Sequence, residues 1–352
     1  MHQLNFTVDN TIDFSSLDIS PKSNVINVYL NTLFHGHIGN SIVTLDTFHQ
    51  EDNLSLTLLY DYMMIADSFI SNIEQKPGSF LLVDNLSLSD FFTTKKTSII
   101  LSYANPALVS SRPEIIRQMY RLGFRSLTIN KPLNEFGLNP GVINSDIINE
   151  ANRLGMIINC NGFDKKNFEM LPNSKVIISN VGSYSICPHP NNISDSDLLE
   201  IKKRGNLLSL SLNDFCISRS YFTEVNKFRE MAEWEIKYLE VEYSFDSLQL
   251  ESRKLKIQQD LQEKISKYKS SDISWKDLII HISYIKSLIG IGNIHLASGI
   301  GEILNDQTSR YYQAEDIVDV LIKELLSAGY DNKSIDDMIH HNIVNFIQRE
   351  KQ

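Results

Sequence analysis

Cysteine is scarce in this chain: Cys160, Cys187 and Cys216 serve 352 residues, and no two form a Cys-x-x-Cys pair. So few thiols cannot build a disulfide framework. No apolar run approaches the roughly 20 residues that a spanning helix needs. The opening Met1-His-Gln-Leu-Asn-Phe-Thr-Val-Asp9 has neither the basic nor the apolar region of a secretory signal. Positive charge is also short, with 33 Lys and Arg against 43 Asp and Glu, a formal net charge of −10. Phosphate-rich partners need clustered cations, so neither nucleic acid nor an anionic membrane is expected as a partner. Neither a phosphate loop nor a Gly-x-Ser-x-Gly elbow occurs. The expectation is a cytoplasmic protein with reduced thiols.

What is present is the composition of an ordinary globular protein, 42% hydrophobic and 22% charged. Short β-branched runs alternate with amphipathic helical stretches. The strands are read at Val25–Phe34, Ser79–Val83, Ser98–Ser102, Ser126–Ile129, Gly155–Asn159, Lys175–Ser179, Asn206–Leu212 and Asn293–Ser298. Ser111-Arg-Pro-Glu114 opens a helix with proline early, where its missing N–H costs nothing. Ser194 to Asp197 has the spacing of a capping box, and Gly329 suits a helix C-cap. Residues from about 222 to 269 break the rhythm with charges at i,i+3 and i,i+4, which reads as one or two surface helices inserted before the last strand. About eight strand–helix units predict an α/β fold, a (β/α)8 TIM barrel over a single domain, residues 1–352. A doubly wound sheet is the alternative, and periodicity does not separate the two.

In a barrel, functional residues gather at the carboxyl ends of the strands. Those ends carry mostly neutral amides and glycines. Only His35-x-His37 has the type and spacing of metal ligands, and its bland reading is a pair of hydrogen-bonded residues at a strand end. Side-chain alternation puts His35 and His37 on one face, and His295 inward on the last strand. The first and last strands of a closed barrel are neighbours, so the three could share one metal or act as acid and base. The bland reading of His295 is a hydrogen-bonded core residue. Cys160 ends a strand but reads as a small buried side chain. Gly290-Ile-Gly-Asn-Ile-His295 lacks the third glycine of a dinucleotide loop and enters a strand. His340-His341 reads as a surface or packing pair in the terminal helix.

Several stretches together resemble the membrane (renal-type) dipeptidase family, peptidase family M19 of the amidohydrolase superfamily. They are Phe34-His-Gly-His-Ile-Gly39, Met119-Tyr-Arg-Leu-Gly-Phe-Arg-Ser-Leu-Thr-Ile129, Glu150-Ala-Asn-Arg-Leu-Gly-Met-Ile-Ile158, Val176 to Asp195, His281-Ile-Ser-Tyr-Ile285 and Leu325-Leu-Ser-Ala-Gly-Tyr330 to Asn342. Glu150 to Ile158 is the most specific of these. The resemblance spans about residues 25 to 348 and implies a (β/α)8 barrel, a homodimer and a hydrolase that uses two zinc ions.

The same resemblance implies that the ligands are missing. Of the family's zinc ligands His37 remains, while Gly39, Gly162 and Asn180 stand at ligand positions. Gly299 falls where the catalytic Asp is expected, and the bridging carboxylate falls near Ser102–Ala104, where none is available. Lys131 falls at the substrate-contacting histidine and Asn191 at the carboxylate-binding arginine. One imidazole cannot hold two zinc ions or activate a water. The expectation is therefore a catalytically degenerate, metal-free binding or partner subunit with no cofactor. Its candidate cleft, for a small peptide-like ligand, involves Lys131, Asn161, Asn180 and Asn191. The alternative is a hydrolase remodelled around His35, His37 and His295.

Overall fold

The computed structural model describes residues 26–33, 40–47, 80–83, 97–104, 112–130, 145–171, 174–210, 214–268, 275–296 and 314–349, with isolated positions between 63 and 77. The strands are β1 (Ile26–Leu33), β2 (Asn40–Thr47), β3 (Phe80–Leu82), β4 (Thr97–Ala104), β5 (Phe124–Asn130), β6 (Ile157–Asn161), β7 (Lys175–Ser179), β8 (Leu207–Leu210) and β9 (Ile294–Leu296). They form one sheet in the order β1-β2-β4-β5-β6-β7-β8-β9, with β3 added to β4. β1 runs antiparallel to β2, and every described pair from β2 onward is parallel. The protein is thus α/β, with helices between parallel strands.

One detail differs from the sequence reading. The expected first barrel strand is an antiparallel edge strand, and the parallel run begins one strand later at Asn40–Thr47. Sequence periodicity alone misses β2, because the turn-like His35–Asn40 segment reads as the close of a strand–helix unit. Residues 34–39, with His35, His37 and Gly39, lie outside the described residues. Their flanks Leu33 and Asn40 pair with each other beside the amino end of the parallel run. Apart from β3, the parallel strands from β2 to β9 follow one another in chain order, as the expected (β/α)8 barrel requires.

Helices α1 (Pro113–Arg121), α2 (Ser145–Arg153), α3 (Lys165–Glu169) and α4 (Asp195–Lys203) each follow a strand. Pro113 stands at the start of α1, and Ser194 caps α4 by accepting from Asp197 N–H at 3.3 Å. After the short α5 (Asp214–Ile217) come the long inserted helices α6 (Arg219–Glu242) and α7 (Ser247–Lys267), close to the expected insertion. Ala232 and Leu239 of α6 pack on Ile257 of α7, which makes the two a helical hairpin. Helix α8 (Trp275–Ile289) precedes β9, and α9 (Ala314–Ser327), α10 (Asn332–Asp336), a π-turn (Asp337–His341) and α11 (Asn342–Gln348) end the chain. Gly329, at φ 88°, provides the left-handed turn after α9.

Strand alternation splits the core into two faces. One face, with Tyr103, Ile158, Ile178, Leu210 and Leu296, packs on Ile116, Ile147, Leu198, Ile282 and Leu325 of the helices. The other face carries Ile100, Ile157, Ile177 and Leu207 toward the amino end, sealed by Ile343, Phe346 and Ile347 of α11. Each such side chain contributes roughly 1.5–3 kcal/mol when fully buried. Lys175 fastens the seal by donating to the Ile347 carbonyl at 2.9 Å, a cation at the helix C-terminus.

Candidate functional site

Above that apolar layer, the same face turns polar one residue pair further along each strand. Ser102, Thr128, Asn159, Ser179, Ser209 and His295 are all buried there. Four of them form one continuous chain across β4 to β7. Ser102 Oγ and Thr128 Oγ1 lie 2.7 Å apart, Asn159 Nδ2 donates to Thr128 Oγ1 at 3.3 Å, and Ser179 Oγ donates to Asn159 Oδ1 at 3.0 Å. Each group answers its neighbour, which burial requires. Beyond them, at the carboxyl edge, Asn180 Nδ2 donates to Asn161 Oδ1 at 2.8 Å. Asn180 has φ 56°, a left-handed conformation that asparagine tolerates better than most residues. Gly162, at φ 78°, follows Asn161 and donates its N–H to the Ser179 carbonyl at 2.8 Å.

The loop after Asn180 is stitched down by buried side chains. Asn192 accepts from Gly182 N–H at 2.6 Å and donates to the carbonyls of Cys187 and Cys216 at 2.9 and 2.6 Å. His281 Nδ1 accepts from Ser183 N–H at 2.8 Å, and its Nε2–H reaches the Ile217 carbonyl at 3.1 Å. That pattern needs a neutral ring, and burial holds its pKa down to about 4. Gly182 leaves room for the ring, since a Cβ there would meet His281 Nδ1 at 2.7 Å. Asn191 sits half-buried in this loop; its N–H donates to His189 Nδ1 at 3.1 Å and its carbonyl accepts from Phe163 N–H.

Of the sequence candidates, the structure therefore brings Asn161 and Asn180 together at one edge, with Asn191 joined to the same segment through Phe163. Lys131 and Gly299 lie outside the described residues. His295 is fully buried, and its Nδ1–H donates to the Met338 carbonyl at 2.9 Å, the core role that its bland reading describes. Burial, with the nearby Asp164 carboxylate, pushes the Cys160 thiol up to about 12, so it stays protonated in a small cavity lined by Ile129, Phe163, Asp164, Asn167 and Phe168. His341 lies at the surface, 2.9 Å from Asp336.

Sequence reasoning misses one juxtaposition: Cys216 Sγ lies 3.8 Å from His189 Nδ1. Twenty-seven residues separate the two, and no spacing announces the contact. It is not an activated nucleophile. The thiol points at the Asn180 carbonyl at 3.3 Å, the imidazole nitrogen already accepts from Asn191, and both side chains are buried.

A pair of zinc ions needs carboxylates and imidazoles that converge with open lone pairs. The described edge offers hydroxyls and amides that are bonded to one another, so it does not fit such a centre. Among the described residues no three His, Cys, Asp or Glu side chains converge on a point that could hold a metal.

A parallel α/β sheet whose carboxyl edge gathers polar side chains defines the class, an α/β protein with its site at the strand ends. The chain belongs to the membrane dipeptidase family (peptidase family M19), whose model matches residues 4–352. Three solved structures are similar at a level that shows the fold. A probable dipeptidase, PvdM, from Pseudomonas aeruginosa matches with TM-score 0.62 and 14% identity, covering 80% of this chain and 77% of that one. A metallopeptidase from Rhodobacter sphaeroides, solved with a phosphinate mimic of the dipeptide L-Ala-D-Ala, matches with TM-score 0.57 and 12% identity over 82% and 73%. An amidohydrolase from Pseudomonas aeruginosa matches with TM-score 0.53 and 14% identity over 80% and 82%. No described helix is long and apolar enough to cross a membrane.

Proposed function

We propose that this chain is a catalytically degenerate member of the membrane dipeptidase family, a metal-free subunit that binds rather than cleaves. The observation that carries this reading is the carboxyl edge itself. Asn161 and Asn180 are hydrogen-bonded to each other, and the row beneath them is closed by Asn159, Thr128 and Ser179. Neutral side chains bonded in this way avoid the cost of burying unpaired carboxylates or imidazoles. An amide edge both donates and accepts, which suits the backbone of a small peptide-like ligand.

The test is turnover of a dipeptide panel with added Zn²⁺ or Mn²⁺. No hydrolysis above background is expected. Turnover that EDTA abolishes, and that survives repurification, would overturn the proposal. Chelation should also leave the melting temperature unchanged, because a bound metal stabilises by linkage and its removal lowers Tm by several degrees.

A further inference from the structure

Helix α6 has two apolar faces. The inner one, with Val225, Ala232 and Leu239, is buried, and its last two residues meet α7. On the opposite side, Met231, Trp234, Tyr238 and Val241 are 65, 78, 67 and 78% exposed, and Phe245, in the turn just past the helix, is fully exposed. These five succeed one another at spacings of three, four, three and four, so they line up as one seam along the helix. The borders of the seam are charged. Glu235 and Glu242, one heptad apart, run along one edge, and Glu230 and Lys237 along the other, all four exposed. Lys227 and Glu224, at the start of the seam, pair with each other. The border therefore keeps an excess of negative charge, concentrated on the Glu235–Glu242 edge.

We infer that this seam docks a basic amphipathic helix of another protein, with apolar residues at the matching three–four spacing and Lys or Arg side chains set against Glu235 and Glu242. The size of the seam supports an interface. Exposed apolar patches larger than a few hundred Å² mark interaction sites. Trp234, Tyr238 and Phe245 offer about 150–250 Å² each, and Met231 and Val241 bring the seam near the roughly 800 Å² per partner of a stable contact. Its centre is Trp and Tyr, the types that carry most interface energy. Charge then selects among occupants, because the residues beside an apolar seam set which helix pairs with it. A second copy laid antiparallel would bring the Glu235–Glu242 edge against its own counterpart, like charge on like. An anionic lipid surface would meet the same acidic border. A cationic helix turns that border into attraction. The surface lies on the insertion, so its test stands whether or not the carboxyl edge cleaves dipeptides.

The probe is a synthetic peptide of about four heptads with Leu at a and d and Lys at e and g, set beside a twin with Glu at e and g. Binding to the full chain is followed by fluorescence anisotropy of the labelled peptide. The Lys peptide should bind, and about tenfold or more tightly than its Glu twin. Trp234→Glu/Tyr238→Glu should weaken that binding about a hundredfold, with unchanged circular dichroism and Tm. Glu235→Lys/Glu242→Lys should reverse the order of the two peptides. No binding of the Lys peptide, or equal binding of the twins, overturns the inference. So does binding that both double variants leave unchanged, which would be general attraction to a chain of net charge −10. The other occupants are read alongside. A dimer in sedimentation equilibrium that Trp234→Glu/Tyr238→Glu disperses would give the face to a second copy. Flotation with phosphatidylcholine vesicles that the same variant abolishes would give it to lipid. Either result overturns the proposal.

Discussion

Glu150, on the helix before β6, and Asn180, at the end of β7, are held in opposite ways. Glu150, on the outer frame, faces two guanidinium groups, Arg153 at 2.7 Å and Arg117 at 3.1 Å. The hydrogen bond from Arg153, with help from Arg117, holds its carboxyl down to about 2. Asn180, on the inner carboxyl edge, is neutral and bonded to another neutral amide. The stretch that most resembles the family, Glu150 to Ile158, is a structural lock. Its Gly155 takes φ 76° to end α2, and Met156 N–H closes the turn onto the Ala151 carbonyl. Arg125 of the 119–129 stretch is another lock, bonded to the Tyr120 carbonyl at 2.6 Å and lying over the Tyr120 ring. Frame residues of this kind are needed whether or not the edge does chemistry. A family frame thus surrounds a described edge whose paired side chains, Asn161 and Asn180, are neutral amides.

The contrast can be broken first at its foundation. Phe346 seals the apolar layer against Ile157 and Ile177 from the C-terminal helix. Phe346→Ala should cost about 3–5 kcal/mol, the usual range for a buried phenylalanine, measured by urea unfolding. A loss below about 1 kcal/mol would mean that α11 does not seal this end of the sheet.

The frame and the loop should also separate along pH. The His281 ring titrates near 6.5 when unfolded and near 4 when folded. Between those values the unfolded chain binds the extra proton, so stability falls as pH falls, by about 3 kcal/mol across the window. Glu150 acts lower down. Its folded carboxyl ionises at about 2 against 4.5, so its contribution is present above 4.5 and is lost toward pH 2. That loss is the smaller, because solvent screens the pair. Unfolding free energy against pH should therefore bend in two windows, and His281→Gln should flatten the upper one alone. An unchanged slope between pH 6.5 and 4 in that variant would defeat the assignment.

Much of the frame is legible in the sequence because its signals are local. Short β-branched apolar runs mark most of the parallel strands, and Pro113, Ser194 and Gly329 mark helix ends. The insertion announces itself by charge at i,i+3 and i,i+4. The edge is legible only in part. Asn161 and Asn180 are identifiable as strand-end residues, but their hydrogen bond depends on the β6–β7 register. The row beneath is less legible still. Thr128 and Asn159 are 31 residues apart, and a lone Ser, Thr or Asn in a strand carries no hint of which neighbour it will meet.

That row yields a middle-sized effect. Asn159 joins Thr128 to Ser179, so Asn159→Ala removes both of those bonds and leaves Thr128 with Ser102 and Ser179 with the Cys160 carbonyl. The cost should be about 2 kcal/mol, from two lost hydrogen bonds of about 1 kcal/mol each. Asn159→Ala combined with Ser179→Ala and Thr128→Val should cost less than the sum of the three single changes, since members of one network couple. Additive losses would show that the hydroxyls and the amide act separately.

The smallest effect belongs to Asn180, and it separates backbone from side chain. At φ 56° an ordinary L residue is strained by roughly 1–2 kcal/mol, asparagine less so, and glycine not at all. Asn180→Ala loses the bond to Asn161 and adds that strain, so it should destabilise by about 2 kcal/mol. Asn180→Gly loses the same bond but relieves the backbone, and the two should nearly cancel, leaving about 0.5 kcal/mol or less. Both are read by thermal unfolding at one pH. Equal losses for the two variants would mean that the amide bond alone matters and that the left-handed turn stores no strain. A large loss for glycine would mean that the Asn161–Asn180 pair holds the carboxyl edge far more firmly than one neutral hydrogen bond can.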